Sequence, residues 1–230
     1  MKALRSSIAV LVLSLLLFSD QSLAAKVQQP ATAVDAAVAL EQLEADDDTA
    51  VQLCSLGIYP QAEALFKRII ATKEKTLGSE HPDLAATLGE LAWCYFQQRR
   101  HSEAVALFNR VLAIEEKALC KDHIGLANTL DSLAAVHVEE GSYAEAEGFY
   151  RRALTIREKM LGKHHPEVAT SLNNLAILLY ARGRSTEAIP LIQRALSILK
   201  ERLPVTHPKV ALYQQNYDEI KRSVHEQITR

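Results

Sequence analysis

His81, His123, His165 and His207 are spaced 42, 42 and 42 residues apart (123−81, 165−123, 207−165). Recurrence at one fixed period restricts a chain to a repeat architecture, in which each unit covers its apolar face with the next. The frame carries far more than histidine. Leu84, Leu126, Val168 and Val210 share one position, and Ala85, Ala127, Ala169 and Ala211 share the next. Leu91, Leu133 and Leu175 are each followed by alanine: Ala92, Ala134 and Ala176. Ala62, Ala104, Ala146 and Ala188 recur, and four residues later stand Phe66, Phe108, Tyr150 and Ile192.

Each unit reads as two helices. In the second, His81-Pro82-Asp83 opens the first helix, because proline is tolerated at the first helical position and an acid suits the first turn. Leu84, Leu88, Leu91, Ala92 and Tyr95 then form a helical apolar stripe. A turn follows, where Gly57, Gly141 and Gly183 end the helix in the left-handed conformation and Arg99 replaces them in the second unit. The second helix carries Ala104, Leu107, Phe108, Val111 and Leu112 and ends before Leu119-Cys120, with equivalents before Leu77-Gly78 and Leu161-Gly162. From Pro208 a last helix places Val210, Tyr213, Tyr217, Ile220 and Val224 on one side, as a cap with one wet face.

The order L-x-x-L-A-x-x-Y followed by A-x-x-x-F stands here as Leu88, Leu91, Ala92, Tyr95, Ala104 and Phe108. It resembles the tetratricopeptide repeat. The 42-residue period and the stretch RALTIREKMLGKHHPEVATSLNNLA, from Arg152 to Ala176, are similar to the repeats of kinesin light chains and their relatives. The resemblance implies an all-α, right-handed superhelical solenoid of antiparallel helix pairs: four repeats over residues 41–207 and a capping helix over 208–230. It departs from a kinesin light chain proper in having no heptad coiled coil before the repeats and in its amino terminus.

That terminus reads as an export signal over residues 1–24. Lys2 and Arg5 precede an apolar run from Ile8 to Phe18, and Ser22-Leu23-Ala24 offers small residues for cleavage before Ala25. The run is shorter than the roughly 20 residues of a spanning helix; the alternative is an uncleaved anchor. Residues 25–40 form a linker. The expected location is therefore periplasmic or secreted, with no membrane span after cleavage. The 26 basic and 28 acidic residues give a net charge of −2, without the basic excess of a nucleic-acid binder.

Chemistry-bearing constellations are sparse. Cys54, Cys94 and Cys120 form neither a disulfide framework nor a CxxC metal spacing. Cys94 falls in an apolar stripe and reads as a buried side chain; export would permit a Cys54–Cys120 bridge. Histidines one repeat apart are too distant to share a metal, because packed helices lie roughly 8–10 Å apart. Glu74, Glu116 and Glu158, like Arg68, Arg110, Arg152 and Arg194, recur once per repeat and read as a salt-bridged or solvated face. No catalytic residue, metal or cofactor is expected, and the chain reads as a noncatalytic protein-interaction scaffold. The alternatives are a self-associating homo-oligomer and an accessory domain of an enzyme complex.

In the resembled family the first helices line the concave surface. Residues off their packing stripes then become candidates for contact with a protein or peptide: Glu90, Trp93 and Gln97, then Asn128, Asp131 and Ser132, then Asn173, Asn174 and, at the flank, Tyr180. Asn173 and Asn174 occupy the family's L-N-N-L-A string, where asparagines bond the backbone of an extended peptide; the alternative is that they solvate the groove or brace the neighbouring helix. Trp93 reads either as an aromatic anchor or as packing against the adjacent repeat. With Asp47, Asp48 and Glu139 included, the expected groove leans acidic and suits a basic or polar peptide.

Overall fold

The computed structural model describes residues 45–118 and 123–228. Their regular structure is entirely helical. Helix α1 covers residues 45–55 and pairs with α2 (Tyr59–Leu77). Then come α3 (Pro82–Gln97) with α4 (His101–Ala118), α5 (Ile124–Glu139) with α6 (Tyr143–Leu161), and α7 (Pro166–Ala181) with α8 (Ser185–Lys200). The last helix, α9 (Pro208–Ile228), packs on α8 and α7. Each helix packs on its predecessor and its successor, so the chain is an all-α solenoid.

The recurring histidines are helix caps. His81, His123 and His165 adopt extended backbone just before α3, α5 and α7. Each imidazole Nδ1 accepts a hydrogen bond from the backbone N–H two residues on, at 3.3, 3.1 and 3.2 Å, and His207 does the same for Lys209 at 3.2 Å. A neutral ring nitrogen thus plays the part usually taken by an asparagine or aspartate oxygen. Among the described residues no group of three or more His, Cys, Asp or Glu side chains is placed to hold a metal ion.

The turns inside the pairs need positive φ. Gly57, Gly141 and Gly183 supply it at +75°, +78° and +72°, and Arg99 is forced to +58°. That conformation costs a residue with a Cβ about 1 kcal/mol relative to glycine. Arg99→Gly is therefore expected to stabilise the protein by about 1 kcal/mol, read as a higher melting temperature; an unchanged or lower value would show that the turn carries no such strain. Helices α2 and α6 run one residue further than the sequence pattern suggests, through Leu77 and Leu161, before glycine caps them.

The core follows the repeat frame. Leu88, Leu130 and Leu172 are buried at one position, and Ala92, Ala134 and Ala176 are completely covered four residues on. The alanines let the paired helices approach closely, and Phe66, Phe108, Tyr150 and Ile192 fill the space between pairs. One stretch of core runs from Ala50 to Ile156 and a second from Ala134 to Ile220, and both draw on α5 and α6.

Charged side chains link successive repeats in two ways. Between consecutive second helices, Arg110 pairs with Glu74 at 2.6 Å, Arg152 with Glu116 at 2.5 Å and Arg194 with Glu158 at 2.5 Å, while Arg68 pairs with Asp46 of α1 in its own repeat at 2.7 Å. These pairs are largely solvated, so each adds only about 0.5 kcal/mol. A more protected link joins each odd repeat to the even one after it. Glu63 meets Arg100 at 2.6 Å and Glu147 meets Arg184 at 2.6 Å, while the intervening repeat has Val105 and Ser142 at those positions.

The bonds from Arg100 and Lys67, with a third from the Tyr95 hydroxyl, lower the Glu63 carboxyl from its usual 4.5 to about 2. A carboxylate whose pKa falls on folding stabilises the fold fully above its unfolded value and loses that contribution as pH drops through the folded value. After solvent screening the link is worth roughly 1–2 kcal/mol at neutral pH. Wild-type protein should lose melting temperature between pH 5 and pH 2 by more than Glu63→Gln does; parallel curves would rule the link out.

Candidate functional site

The first helices α1, α3, α5, α7 and α9 lie side by side. Thr87 of α3 donates to Asp47 of α1 at 2.8 Å, Tyr180 of α7 donates to Glu219 of α9 at 3.1 Å, and Asn216 of α9 donates to Asn173 of α7 at 2.9 Å. The face they share is built from two sets of equivalent positions. Asp48, Glu90, Ser132, Asn174 and Asn216 form a polar row, and Val51, Trp93, Ala135, Ile177 and Glu219 form a second row that is mainly apolar. Trp93 is 44% exposed and stacks on Phe96 with ring centroids 5.0 Å apart. Val51 and Ile177 are exposed as well.

Beneath these rows, the second helix of each repeat floors the cleft between neighbouring first helices. In the first repeat, Lys73 of α2 reaches Asp47 at 2.6 Å and the Thr87 hydroxyl at 2.7 Å. In the third, Arg157 of α6 reaches Asp131 at 2.6 Å, Ser171 at 2.7 Å and the Asn128 side-chain oxygen at 2.8 Å. Both cations are buried, Arg157 to 3% exposure, and each is matched by a carboxylate and a hydroxyl. The same floor position holds Glu115 in the second repeat and Leu199 in the fourth. Glu115 accepts a bond from Thr129 at 2.7 Å, and its acid's counterpart on α3 is Gly89.

These contacts sort the nine candidate residues. Glu90, Trp93 and Gln97 are exposed on α3. Asn128 is exposed but committed to Arg157, and Ser132 is half-buried and donates to the Asn128 carbonyl at 3.1 Å. Asp131 is the half-buried partner of the buried Arg157, so it is not a free groove acid. Asn173 is 5% exposed and bonded to Asn216; it braces α9 and does not face a ligand. Asn174, its neighbour, lines a small cleft of about 120 Å³ with Tyr150 and Ile177. Tyr180 lines a larger one, of about 730 Å³, with Gln215 and Asp218.

The acidic lean expected of this face is therefore mostly cancelled. Asp47 and Asp131 are neutralised from the floor by Lys73 and Arg157, and Glu139 meets Arg99 at 3.4 Å. Lys73 and Arg157 escape a reading by residue type because their shared position carries Lys, Glu, Arg and Leu in turn. The signal that finds them is a basic residue on a buried stripe with an acid 26 residues earlier, as in Asp47–Lys73 and Asp131–Arg157.

Two of the remaining acids, Glu90 and Glu115, lie on α3 and α4. Burial raises the Glu90 carboxyl, with the Asp47 charge adding to it, although the residue retains a solvent-facing edge. Burial also raises the Glu115 carboxyl, against the opposing bond from Thr129. Elsewhere burial pushes the Tyr150 hydroxyl and the Cys54 thiol up to about 12 each. A thiol held so far from its thiolate is a poor nucleophile. Cys54 and Cys94 are both buried and outside any disulfide, and Cys120 lies outside the described residues, as do residues 1–24, where an export signal is expected, and the expected linker over 25–40.

The tetratricopeptide repeat family model matches residues 41–117 and 121–201, more than half of the chain. Among solved structures, the chain is similar to a Podosopora anserina protein of kinesin-light-chain type with nearly identical TPR-like repeats. That match has 27% identity and a TM-score of 0.71, and covers 82% of this chain and 89% of that one. A single-site variant of the same protein gives 27% and 0.72 over the same shares. BtubC (BKLC) from P. vanneervenii shares the fold at 21% identity and a TM-score of 0.72, over 84% of this chain and 76% of that one. No curated protein matches the chain. The chain belongs to the tetratricopeptide repeat family, with repeats of the kinesin-light-chain type.

Proposed function

We propose that this chain is a noncatalytic scaffold that acts outside the cytoplasm and binds a protein or peptide across the face of its first helices. Tetratricopeptide repeats generally mediate protein–protein interaction. The observation that carries the reading is Trp93, a large aromatic side chain 44% exposed in a mainly apolar row that also carries the exposed Val51 and Ile177. An indole in that setting is the type of anchor that dominates protein interfaces.

The test is capture of partners from the extracytoplasmic fraction by wild-type protein, Trp93→Ala and Asn174→Ala. The expected result is loss or marked weakening of a specific partner in at least one folded variant. Full retention by both would remove this face from the function. Location outside the cytoplasm rests on the export pattern of residues 1–24. Intact mass of the exported protein should place its first residue at Ala25, and a chain still beginning at Met1 would refute the cleavage.

A further inference from the structure

The clefts between neighbouring first helices are not equivalent, and their differences identify one ligand chemistry. Between α1 and α3 the floor cation Lys73 sits against Asp47 and Thr87. Between α5 and α7 the floor cation Arg157 sits against Asp131 and Ser171. In both, a basic side chain of this chain already fills the space and answers the acid. Between α3 and α5 both partners are exchanged. Gly89 stands where the acid should be, and Glu115 stands where the cation should be. A Cβ built on Gly89 would meet nothing within 4 Å, so the space is open. The result is a cleft of about 640 Å³ with Val111, Ile114 and Phe108 in its walls and Glu90, Glu115 and Trp93 facing it.

We infer that this cleft receives a lysine or arginine side chain of a protein partner, which supplies from outside the cation that Lys73 and Arg157 supply from within in the first and third repeats. This rests on the first-helix face being the binding surface. The chemistry fits at each level. The apolar wall accepts the methylene stem that lysine and arginine share. Glu115 accepts from Thr129 alone among the described side chains, so its carboxylate retains capacity for a charge-assisted bond. Glu90 adds a second negative group from α3. The exposed indole of Trp93 offers its face to a cation at the mouth. An acidic or neutral polar side chain would instead bring like charge, or an unmet polar group, against the same carboxylates.

Trp93 is the sole tryptophan, so its fluorescence reports this cleft directly. The probes are capped pentapeptides Gly-Gly-X-Gly-Gly in which X is lysine, arginine or norleucine. The expected result is a saturable change in Trp93 emission with the lysine or arginine peptide, at least about tenfold tighter than with norleucine. The decisive variant is Gly89→Asp with Glu115→Lys, which rebuilds inside the chain the arrangement of the first repeat. It should retain the helical spectrum and melt no lower than wild type, yet bind the basic peptide at least about tenfold more weakly. Glu115→Gln should weaken binding without closing the cleft.

Equal binding of norleucine and lysine would assign the cleft to an apolar side chain and overturn the inference. So would unchanged binding by the rebuilt variant, or no saturation up to about 10 mM peptide. A change in Trp93 emission with protein concentration alone would assign the cleft to a second copy of this chain and also overturn it. A partner captured equally by the rebuilt variant but lost with Asn174→Ala would overturn this inference and leave the broader reading standing. Retention by every variant would end both.

Discussion

Replacing Arg157 with alanine should destabilise the protein by about 3–5 kcal/mol, among the largest single-residue effects available in this fold. The guanidinium is buried and joins three helices: it sits on α6, reaches Asp131 and Asn128 on α5, and reaches Ser171 on α7. Its removal leaves the Asp131 carboxylate without a countercharge. That carboxyl is already raised by burial despite Arg157, so its ionised form is poorly placed to stand alone. Because one partner is left stranded, the loss should exceed that of removing both. Arg157→Leu with Asp131→Leu is expected to recover much of the stability. Denaturant unfolding of the two single variants and the double variant measures the coupling. Additive losses would show that the pair contributes only as separate side chains.

Leu130→Ala should cost about 3–5 kcal/mol for a different reason. Leu130 is fully buried in α5 and belongs to the stretch of core built from the first three repeats. A cavity there weakens contacts within the pair and between pairs at once. In an array whose stability is a sum of units and interfaces, damage at its centre couples to both ends. The equivalent loss at Phe66, in the first repeat, should instead open the amino-terminal pair locally. Hydrogen exchange separates the two cases: Leu130→Ala should raise exchange across α3 to α8, and Phe66→Ala chiefly in α1 and α2. Equal patterns would mean that the array unfolds as one block.

Much of this was legible in the chain. The 42-residue frame marks the helices, the glycine turns and the buried leucines, because each depends on one residue type kept at one position. Arg99 is the instructive exception, since the frame alone shows that it must adopt the glycine conformation, and it does at φ +58°. The face of the first helices was less legible. Its outward direction follows from helix period, but its free groups do not. Asp131 and Asn173 share one position in the frame, and what each does depends on what a later helix brings: Arg157 of α6 to one and Asn216 of α9 to the other. Such pairings join residues from about 26 to about 43 positions apart in sequence, and no single-helix pattern encodes them. The triple aspartate of the first unit, out of place in an apolar frame, becomes intelligible once Arg68 and Lys73 are seen opposite Asp46 and Asp47.

The alternation of protected charges sets the length by which such an array can grow or shrink. Asp47 and Asp131, Lys73 and Arg157, Glu63 and Glu147, and Arg100 and Arg184 are all separated by 84 residues (131−47, 157−73, 147−63, 184−100). Excision of one 42-residue unit from the middle would set Glu63 opposite Ser142 and strand its charge. Excision of two would set it opposite Arg184 and keep every such pairing intact. The eye reads this chain in single repeats, but its electrostatic grammar is written in words of two. Insertions, deletions and chimaeras that respect those words should be more stable than single-unit edits of the same kind, as read by melting temperature.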